Sequence, residues 1–181
     1  MEFINTKFKD AFIVNPQVFK DQRGFFLESY SEKKFLENGI SAKFIQDNHS
    51  VSFKRGVLRG LHFQKPPFAQ AKLVRVTRGK VYDVIVDLRS GSETFGQWQG
   101  FELSADNLQM LFVPRGFAHG FMSLEDNTEF QYKCDNYYNK ESEGGIIWND
   151  PNLKINWPAD NPILSEKDSK LYPFKNLKSL F

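Results

Sequence analysis

The feature that most constrains the fold is a series of short β-type segments between residues 44 and 134. Apolar and polar residues alternate through KFIQDNHSVSFKRGVLRGLHFQ, and AKLVRVTRGKVYDVIVDLR contains two segments separated by a turn at residues 78–80. QWQGFELS, LQMLFVPRGFAHGFMSL and TEFQYKC supply the others. Many short strands with Gly and Pro turns are typical of a sandwich or barrel. The 19 Phe, 6 Tyr and 3 Trp residues favour a β-rich core or an extensive subunit interface.

The flanking segments carry weaker signals. AFIVNPQVF, residues 11–19, predicts a short strand with a proline bend, and a turn at residues 21–24 precedes a predicted strand over residues 25–30. SEKKFLENG predicts a short helix with Ser31 as its N-cap and Gly39 at its end. A second short helix is expected near SEKDSKLY. Because no linker or repeat interrupts the pattern, we expect one domain over residues 1–181.

Two segments of the β region resemble each other. GVLRGLHFQ and VPRGFAHGF each place a histidine, His62 and His119, within four residues after an Arg-Gly pair. Two related strands of this kind could present one imidazole each to a shared barrel mouth. Jelly-roll domains of the cupin type have this architecture and hold ligands inside. The predicted fold is therefore all-β, a cupin-type jelly-roll barrel with short N- and C-terminal helices.

Charge and composition exclude several classes of partner. The formal net charge is +2 and no basic run is present, so neither nucleic acid nor a membrane surface is an expected partner. The single cysteine, Cys134, cannot form an intrachain disulfide, which favours a cytoplasmic location. The start of the chain shows no secretory signal pattern, and the apolar runs are too short to cross a bilayer.

A metal site finds little support in the spacing of the ligand-type residues. The three histidines are His49, His62 and His119, no His-x-His pair occurs, and Cys134 has no companion cysteine. A first-row metal usually needs three or more converging N, O or S ligands. A set of His62, His119 and Glu143 is conceivable, but its spacing does not indicate a metal site. We expect neither a metal nor a cofactor.

His62 is the residue with the strongest signal for chemistry. Arg59 precedes it by three residues and Lys72 follows it by ten. Cations near a pocket attract an anionic substrate and stabilise developing negative charge. The ordinary interpretation, a core histidine bonded to a backbone carbonyl, stays open at this point. Spacing alone also cannot bring Tyr132 and Asp168 to the same place.

Seven stretches together resemble the dTDP-4-dehydrorhamnose 3,5-epimerase family. In order, they are DQRGFFLESY, QDNHSVSFKRGVLRGLHFQ, AKLVRVTRGKVYDVIVDLR, VPRGFAHGF, YKCDNYYNKESEGGIIWNDP, INWP and LSEKD. They cover about residues 11 to 168. The resemblance implies a dimeric, metal-free cupin-type jelly roll. It also implies inversion of C3 and C5 in a dTDP-linked 4-keto-6-deoxyglucose, a nucleotide-sugar substrate.

The resemblance also implies roles for individual residues. It makes His62 the catalytic base, Asp168 the carboxylate that orients it, Tyr132 the general acid and Lys72 the group beside the keto oxygen. Tyr138 would stack on the thymine. The other expected substrate contacts are Arg23, Glu28, Gln46, Asp47, Asn48, Arg59, His119, Glu143 and Lys167. The N-terminal strand that bears Arg23 and Glu28 would reach into the partner subunit's site.

Alternatives remain open. A relative that epimerises only one centre of a dTDP-keto-sugar would need the same base and acid. A nucleotide-sugar-binding cupin without turnover would need neither, and a metal-dependent cupin oxygenase would contain a metal. Structural roles are also conceivable, for example Lys72 on a solvated face or Glu143 as a turn cap. Arg75, Lys80 and Arg89 are predicted to lie on the solvated surface.

Overall fold

The fold is built almost entirely from β-strands. The computed structural model describes residues 1–177 and residue 181; residues 178–180 of the predicted domain lie outside this description. The strands are β1 (Glu2–Asn5), β2 (Phe12–Asn15), β3 (Val18–Asp21), β4 (Gly24–Leu27), β5 (Gln46–Ser52), β6 (Leu58–Gln64), β7 (Lys72–Arg78), β8 (Lys80–Asp87), β9 (Trp98–Ser104), β10 (Met110–Val113), β11 (Phe117–Ser123), β12 (Thr128–Cys134) and β13 (Glu143–Gly145). Helix α1 spans Glu32–Glu37, and two 3₁₀ turns span Asp168–Lys170 and Phe174–Asn176. One domain over residues 1–181 stays a prediction.

The strands form two large antiparallel sheets and one separate hairpin. The order is β1-β2-β10-β7-β12-β5 in the six-stranded sheet and β13-β6-β11-β8-β9 in the five-stranded sheet. Among the described residues, β3 pairs only with β4. One core cluster takes Val74 and Phe130 from the first sheet and Ile85 and Phe121 from the second. The sheets therefore pack face to face as a jelly roll, which confirms the all-β prediction.

The outer face of the five-stranded sheet is covered by the C-terminal part of the chain. Strands β8 and β11 are buried over nearly their whole length, because side chains on both of their faces have something to pack against. Leu61 and Val86 belong to a second core cluster, to which Trp157, Phe174 and Phe181 add partly buried rings. This packing holds the segment after β13 against the barrel, and that segment includes Asp168.

Helix α1 covers part of the outer face of the six-stranded sheet. Phe35 is fully buried and packs in a third cluster with Leu73, Met110 and Phe112. The predicted short helix is thus confirmed. Ser31 occupies the N-cap position, although its side chain makes no capping hydrogen bond to the described residues. The chain leaves the helix through Gly39, whose φ of +79° favours glycine.

Several predictions are corrected by the structure. The predicted strand over residues 11–19 is two strands, β2 and β3, because Pro16 lacks the N–H needed to continue the ladder. Strand β4 ends at Leu27, so the predicted strand over residues 25–30 was too long. The helix expected near residues 165–172 is only the 3₁₀ turn Asp168–Lys170.

Arg89 does not lie on the solvated surface as predicted. Its side chain is only 22% exposed and pairs with the fully buried Asp87, with Nη2 2.8 Å from Oδ2. Ser92 and Thr94 also donate hydrogen bonds to this carboxylate, at 2.7 and 2.6 Å. A buried carboxylate needs such partners, and Arg89 is recruited inward for that reason. Among the described residues, no helix is long and apolar enough to span a membrane.

Candidate active site

The interior of the barrel contains a cavity of about 480 Å³ that is lined by both sheets. Strand β6 contributes Arg59 and His62, β11 contributes His119, and β7 and β12 contribute Lys72 and Tyr132. A neighbouring cavity of about 160 Å³ shares His62, Lys72 and Tyr132. Its other polar walls are Gln46, Asn48, Gln64, Gln70, Tyr138 and Glu143. The structure therefore brings most of the predicted site residues to one connected region.

His62 and Asp168 form a hydrogen-bonded pair across a long stretch of chain. The His62 Nε2 atom lies 2.6 Å from Asp168 Oδ1, and the backbone N–H of Gly60 donates to Oδ2 at 3.3 Å. Burial alone would raise the pKa of the Asp168 carboxyl, but the bonds from His62 and Gly60 outweigh it and hold the pKa below its ordinary value. Because Asp168 engages Nε2, Nδ1 is the ring nitrogen left to accept a proton.

A close approach of two glycines positions this wall of the cavity. A Cβ on Gly60 would lie 2.7 Å from the Cα of Gly120 and 2.8 Å from the carbonyl oxygen of His119, and the φ of Gly60 is +119°. No side chain fits there. The pairing of β6 with β11 shifts register just beyond His119, whose Cα partner is His62. The two imidazoles are therefore neighbours, as the repeated Arg-Gly pattern predicted.

Lys72 and Tyr132 lie on the six-stranded sheet, on the wall opposite His62. The Lys72 Nζ atom is 5.8 Å from the centre of the Tyr132 ring. Burial lowers the pKa of Lys72, and the nearby Cys134, Asp83 and Glu143 partly offset this shift. Burial likewise raises the pKa of Tyr132, so its phenol keeps its proton at neutral pH. The amine of Lys72 and the protonated phenol of Tyr132 thus line the same cavity as the imidazole, from the opposite sheet.

A second histidine–aspartate pair lies next to the first, and sequence reasoning missed its carboxylate. His119 Nε2 is 3.0 and 2.9 Å from the two oxygens of Asp83, which is fully buried on β8. The ring of His119 stacks on Phe130 at 6.2 Å between centroids. A signal was present, because Asp83 interrupts the apolar strand KVYDVIVD and a carboxylate there needs a partner.

The smaller cavity has a polar mouth. Tyr138 donates its hydroxyl to Glu143 Oε2 at 3.0 Å, and Lys167 Nζ lies 2.5 Å from Oε1. Burial would raise the pKa of Glu143, but Lys167 and Tyr138 hold it below its usual range. Gln46 donates to Asn48 Oδ1 at 3.1 Å nearby. Tyr138 is 55% exposed, so its ring can receive a flat ligand group.

Three predicted contacts are not brought to the cavity within one chain. Arg23 lies on the β3–β4 turn, where its side chain is 90% exposed and pairs with Asp21. Glu28 pairs with Lys34 at 2.7 Å on the outside of the barrel. Asp47 lies between two inward-facing residues of β5 and so points to the outer face, where Lys133 binds it at 2.9 Å. Their roles stay predictions.

The clusters of ligand-type side chains do not suggest a metal site. Within residues 1–177 and 181, no group of three or more His, Cys, Asp and Glu side chains is arranged to hold a metal ion. The set His62, His119 and Glu143 is not such a group. The two histidines of the cavity each face their own aspartate instead.

Comparisons with known proteins agree with this architecture. Residues 5–176 match the family model described as dTDP-4-dehydrorhamnose 3,5-epimerase. An enzyme of that name from Shigella flexneri is 53% identical over 169 residues, which are 93% of each chain. The crystal structure of the Elizabethkingia anophelis NUHP1 enzyme superposes with a TM-score of 0.92 at 54% identity and covers 97% of each chain.

A more distant solved structure shares the same fold. The 3'-monoepimerase from Streptomyces bikiniensis, in complex with dTDP-quinovose, has a TM-score of 0.87 at 33% identity and covers 93% of this chain and 85% of its own. These likenesses confirm the cupin-type jelly roll and the family that the seven stretches indicated. Because the family model matches residues 5–176 of this chain, the chain belongs to the dTDP-4-dehydrorhamnose 3,5-epimerase family.

Proposed function

We propose that this protein inverts C3 and C5 of dTDP-4-dehydro-6-deoxy-D-glucose and so forms dTDP-4-dehydro-L-rhamnose. The single observation that supports it best is one cavity lined from opposite sheets by His62 and by Tyr132 with Lys72. Inversion of a carbon next to a ketone needs a base on one face and a proton donor on the other. Lys72 supplies the positive charge that the intermediate requires.

The first step removes a proton from the carbon next to the ketone. His62 Nδ1 accepts the proton, and the C–H electron pair moves into an enolate whose negative charge lies on the former keto oxygen. The Asp168 carboxylate fixes the ring and stabilises the imidazolium that forms. The Lys72 ammonium stabilises the enolate oxygen, and such a charge counts for more in a water-poor cavity than in bulk water.

The second step delivers a proton to the opposite face. Tyr132 donates its phenolic proton to the same carbon, the enolate returns to the ketone, and the configuration is inverted. The Tyr132 phenolate then regains a proton from solvent while His62 releases one, so no redox partner is required. The same groups act at C3 and at C5 in turn.

Substrate binding uses the remaining polar side chains of the two cavities. Arg59 suits the diphosphate, because a guanidinium pairs with two phosphate oxygens at once. Tyr138 offers a flat ring to the thymine. Gln46, Asn48, Glu143, Lys167 and His119 supply further hydrogen-bonding groups.

A homodimer that shares its sites is part of the proposal. Within the part of the chain that the structure describes, the β3–β4 hairpin pairs with neither large sheet. It exposes Phe19, Phe25 and Phe26 by 54%, 55% and 68%. Exposed aromatic surface of this kind favours burial against another chain. The hairpin would carry Arg23, and with it Glu28, to the site of the partner.

Mixing Arg23→Ala with His62→Asn subunits is then expected to restore activity that neither variant has alone. A failure to restore activity would contradict shared sites.

The alternative of a single-centre epimerase is favoured by one observation, the shared fold with the Streptomyces bikiniensis monoepimerase. Turnover of the keto-sugar in heavy water separates the two functions. Deuterium entering both C3 and C5, with dTDP-L-rhamnose formed by a coupled reductase, supports double inversion. Exchange at one carbon supports the alternative.

Absence of any exchange supports a non-catalytic nucleotide-sugar-binding cupin, and loss of turnover with a chelator supports a metal enzyme. We place this chemistry in the cytoplasm.

A further inference from the structure

Strand β5 presents a stripe of four polar side chains to the barrel interior. Gln46, Asn48, Ser50 and Ser52 occupy alternate positions and so point to one face. Three of the four have partners: Gln46 donates to Asn48 at 3.1 Å, Asn48 donates to the Cys134 sulfur at 3.6 Å, and Ser52 accepts from Arg59 Nε at 3.4 Å. Among the described residues, one side chain of the stripe therefore stands out because its polar atom has no partner.

The exception is Ser50. Its Oγ atom is buried and has no hydrogen-bond partner within the part of the chain that the structure describes. Ser50 lines the 480 Å³ cavity together with His62, Lys72 and Tyr132. Buried hydroxyls are nearly always hydrogen-bonded in folded proteins, so an exception on a residue that lines a ligand cavity points to a bond made by the ligand.

The surroundings of Ser50 select a neutral partner. Its Cα partner on β12 is Phe130, whose ring stacks on Phe121 at 4.0 Å between centroids, and both rings line the same cavity. A hydroxyl against aromatic rings suits an uncharged sugar hydroxyl, whose ring carbons pack on the apolar surface. Arg59, the charged group that suits a phosphate, is bonded further along β5 instead, where it donates to Ser52 Oγ at 3.4 Å and to the Val51 carbonyl oxygen at 3.0 Å.

We propose that Ser50 is a specificity-determining residue whose hydroxyl hydrogen-bonds a ring hydroxyl, at C2 or C3, of the bound hexose. The inference rests on the proposed function and adds a contact on β5, the strand that pairs with β12 in the sheet that bears Tyr132. This bond fixes the rotation of the sugar ring, and the rotation decides which C–H bond faces His62.

The test measures binding rather than turnover, so it is independent of whether the enzyme inverts one centre or two. The ligands are dTDP and dTDP-6-deoxy-D-glucose, which has no ketone and cannot react. Ser50→Ala is expected to raise the Kd of dTDP-6-deoxy-D-glucose about 3- to 10-fold, the size of one neutral hydrogen bond, and to leave the Kd of dTDP unchanged. Calorimetry measures both constants.

Thr77→Ala is the matched control. Thr77 Oγ1 is the other buried hydroxyl without a partner among the described residues, and it does not line this cavity. Its removal is expected to leave both Kd values unchanged. A fall in stability common to both variants would then not be mistaken for a binding effect.

Deoxy analogues identify the sugar atom. An analogue that lacks the bonded hydroxyl is expected to lose affinity for the wild-type protein and to lose no more with Ser50→Ala, because the two changes remove the same bond. Unchanged binding of dTDP-6-deoxy-D-glucose by Ser50→Ala would overturn the inference. Equal weakening of dTDP and the nucleotide sugar would assign the bond to the nucleotide part instead, and would also overturn it. Failure of the proposed function would appear separately, as absent turnover of the keto-sugar by the wild-type protein.

Discussion

The two histidine–aspartate pairs of the cavity use the same groups in different settings. In the first, the His62 side chain is 27% exposed and Asp168 6%. In the second, the corresponding values are 7% for His119 and 0% for Asp83. Both imidazoles are held by a carboxylate through Nε2. The difference lies in access, since only His62 presents a substantial part of its ring to the cavity and can meet a C–H bond.

The two carboxylates are also held by different means. Asp83 lies on β8 opposite Phe121 of β11, two residues along the strand from His119, so the pairing of neighbouring strands places it diagonally beside His119. Asp168 comes from the C-terminal segment, and its own backbone N–H is held by the Ser165 hydroxyl at 3.0 Å. The His119–Asp83 pair is fixed by the hydrogen bonds between two strands, which suits a rigid part of the cavity wall. The His62–Asp168 pair is completed by the C-terminal segment, and one side of the His62 imidazole stays open, as a base requires.

The largest predicted effect contrasts the two imidazoles directly. His62→Asn removes the base and is expected to lower kcat by about 10³-fold, within the usual range for general base catalysis, while dTDP affinity is kept. His119→Asn is expected mainly to raise KM, by about 10-fold, because one substrate hydrogen bond is lost. Steady-state kinetics with the keto-sugar check both. A similar fall of kcat in both variants would mean that the second pair also moves protons.

Tyr132→Phe tests whether Tyr132, and not His119 of the second pair, is the proton donor. The variant is expected to lose inversion by about 10²-fold, since the phenol supplies the proton on the face opposite His62. His62 can still remove and return its own proton, so the substrate should continue to exchange deuterium without inverting. NMR in heavy water separates exchange from inversion. If inversion continued at the wild-type rate, His119 would be a better candidate for the acid than Tyr132.

The carboxylates are expected to follow the imidazoles, with smaller effects. Asp168→Asn loosens the ring of the base and should lower kcat, with little change in KM. Asp83→Asn should change kcat less and instead destabilise the protein by about 1–3 kcal/mol, because it disturbs a hydrogen bond of a fully buried group. Urea unfolding and kinetics on the same preparations show whether the two losses separate. Equal losses of kcat would remove the distinction drawn between the pairs.

Much of the fold could be predicted from the sequence, because alternation of side chains is a local property. His62 stands between Leu61 and Phe63, which join an apolar cluster on the outer face of the sheet, so the imidazole points the other way into the barrel. The same reasoning places Asn48 inward. It also places Asp47 outward, so the family-based prediction for Asp47 finds no support from the cavity of a single chain.

The pairing of the site residues could not be predicted in the same way. His62 and Asp168 are 106 residues apart, and only the packing of the C-terminal segment over the five-stranded sheet brings them together. The family resemblance supplied that pair, whereas it did not supply Asp83. An aspartate in an apolar strand signals a buried partner, but its strand neighbour is set by the sheet topology, which local patterns do not contain.

The smallest effect concerns acid stability, where Asp87 serves as a reference carboxylate remote from the cavity. Burial would raise its pKa, but hydrogen bonds from Arg89, Thr94 and Ser92 lower it to about 2. A carboxyl whose pKa is lower when folded stabilises the protein above its unfolded pKa and loses that contribution as the pH falls through the folded value. Relative to the ordinary aspartate pKa of 3.8, the contribution at pH 7 is about 2 kcal/mol.

Asp87→Asn should therefore lower the free energy of unfolding by about 2 kcal/mol at pH 7, and the gap to the wild-type protein should close between about pH 4 and pH 2. Asp168→Asn should show a gap of the same sign, since the pKa of Asp168 is also lowered, but with a loss of turnover that Asp87→Asn lacks. Urea titrations at several pH values measure both gaps. If the difference in free energy of unfolding between Asp87→Asn and the wild-type protein persisted unchanged at pH 2, packing and not charge would make Asp87 stabilising. Asp87 could then no longer serve as the reference for Asp168.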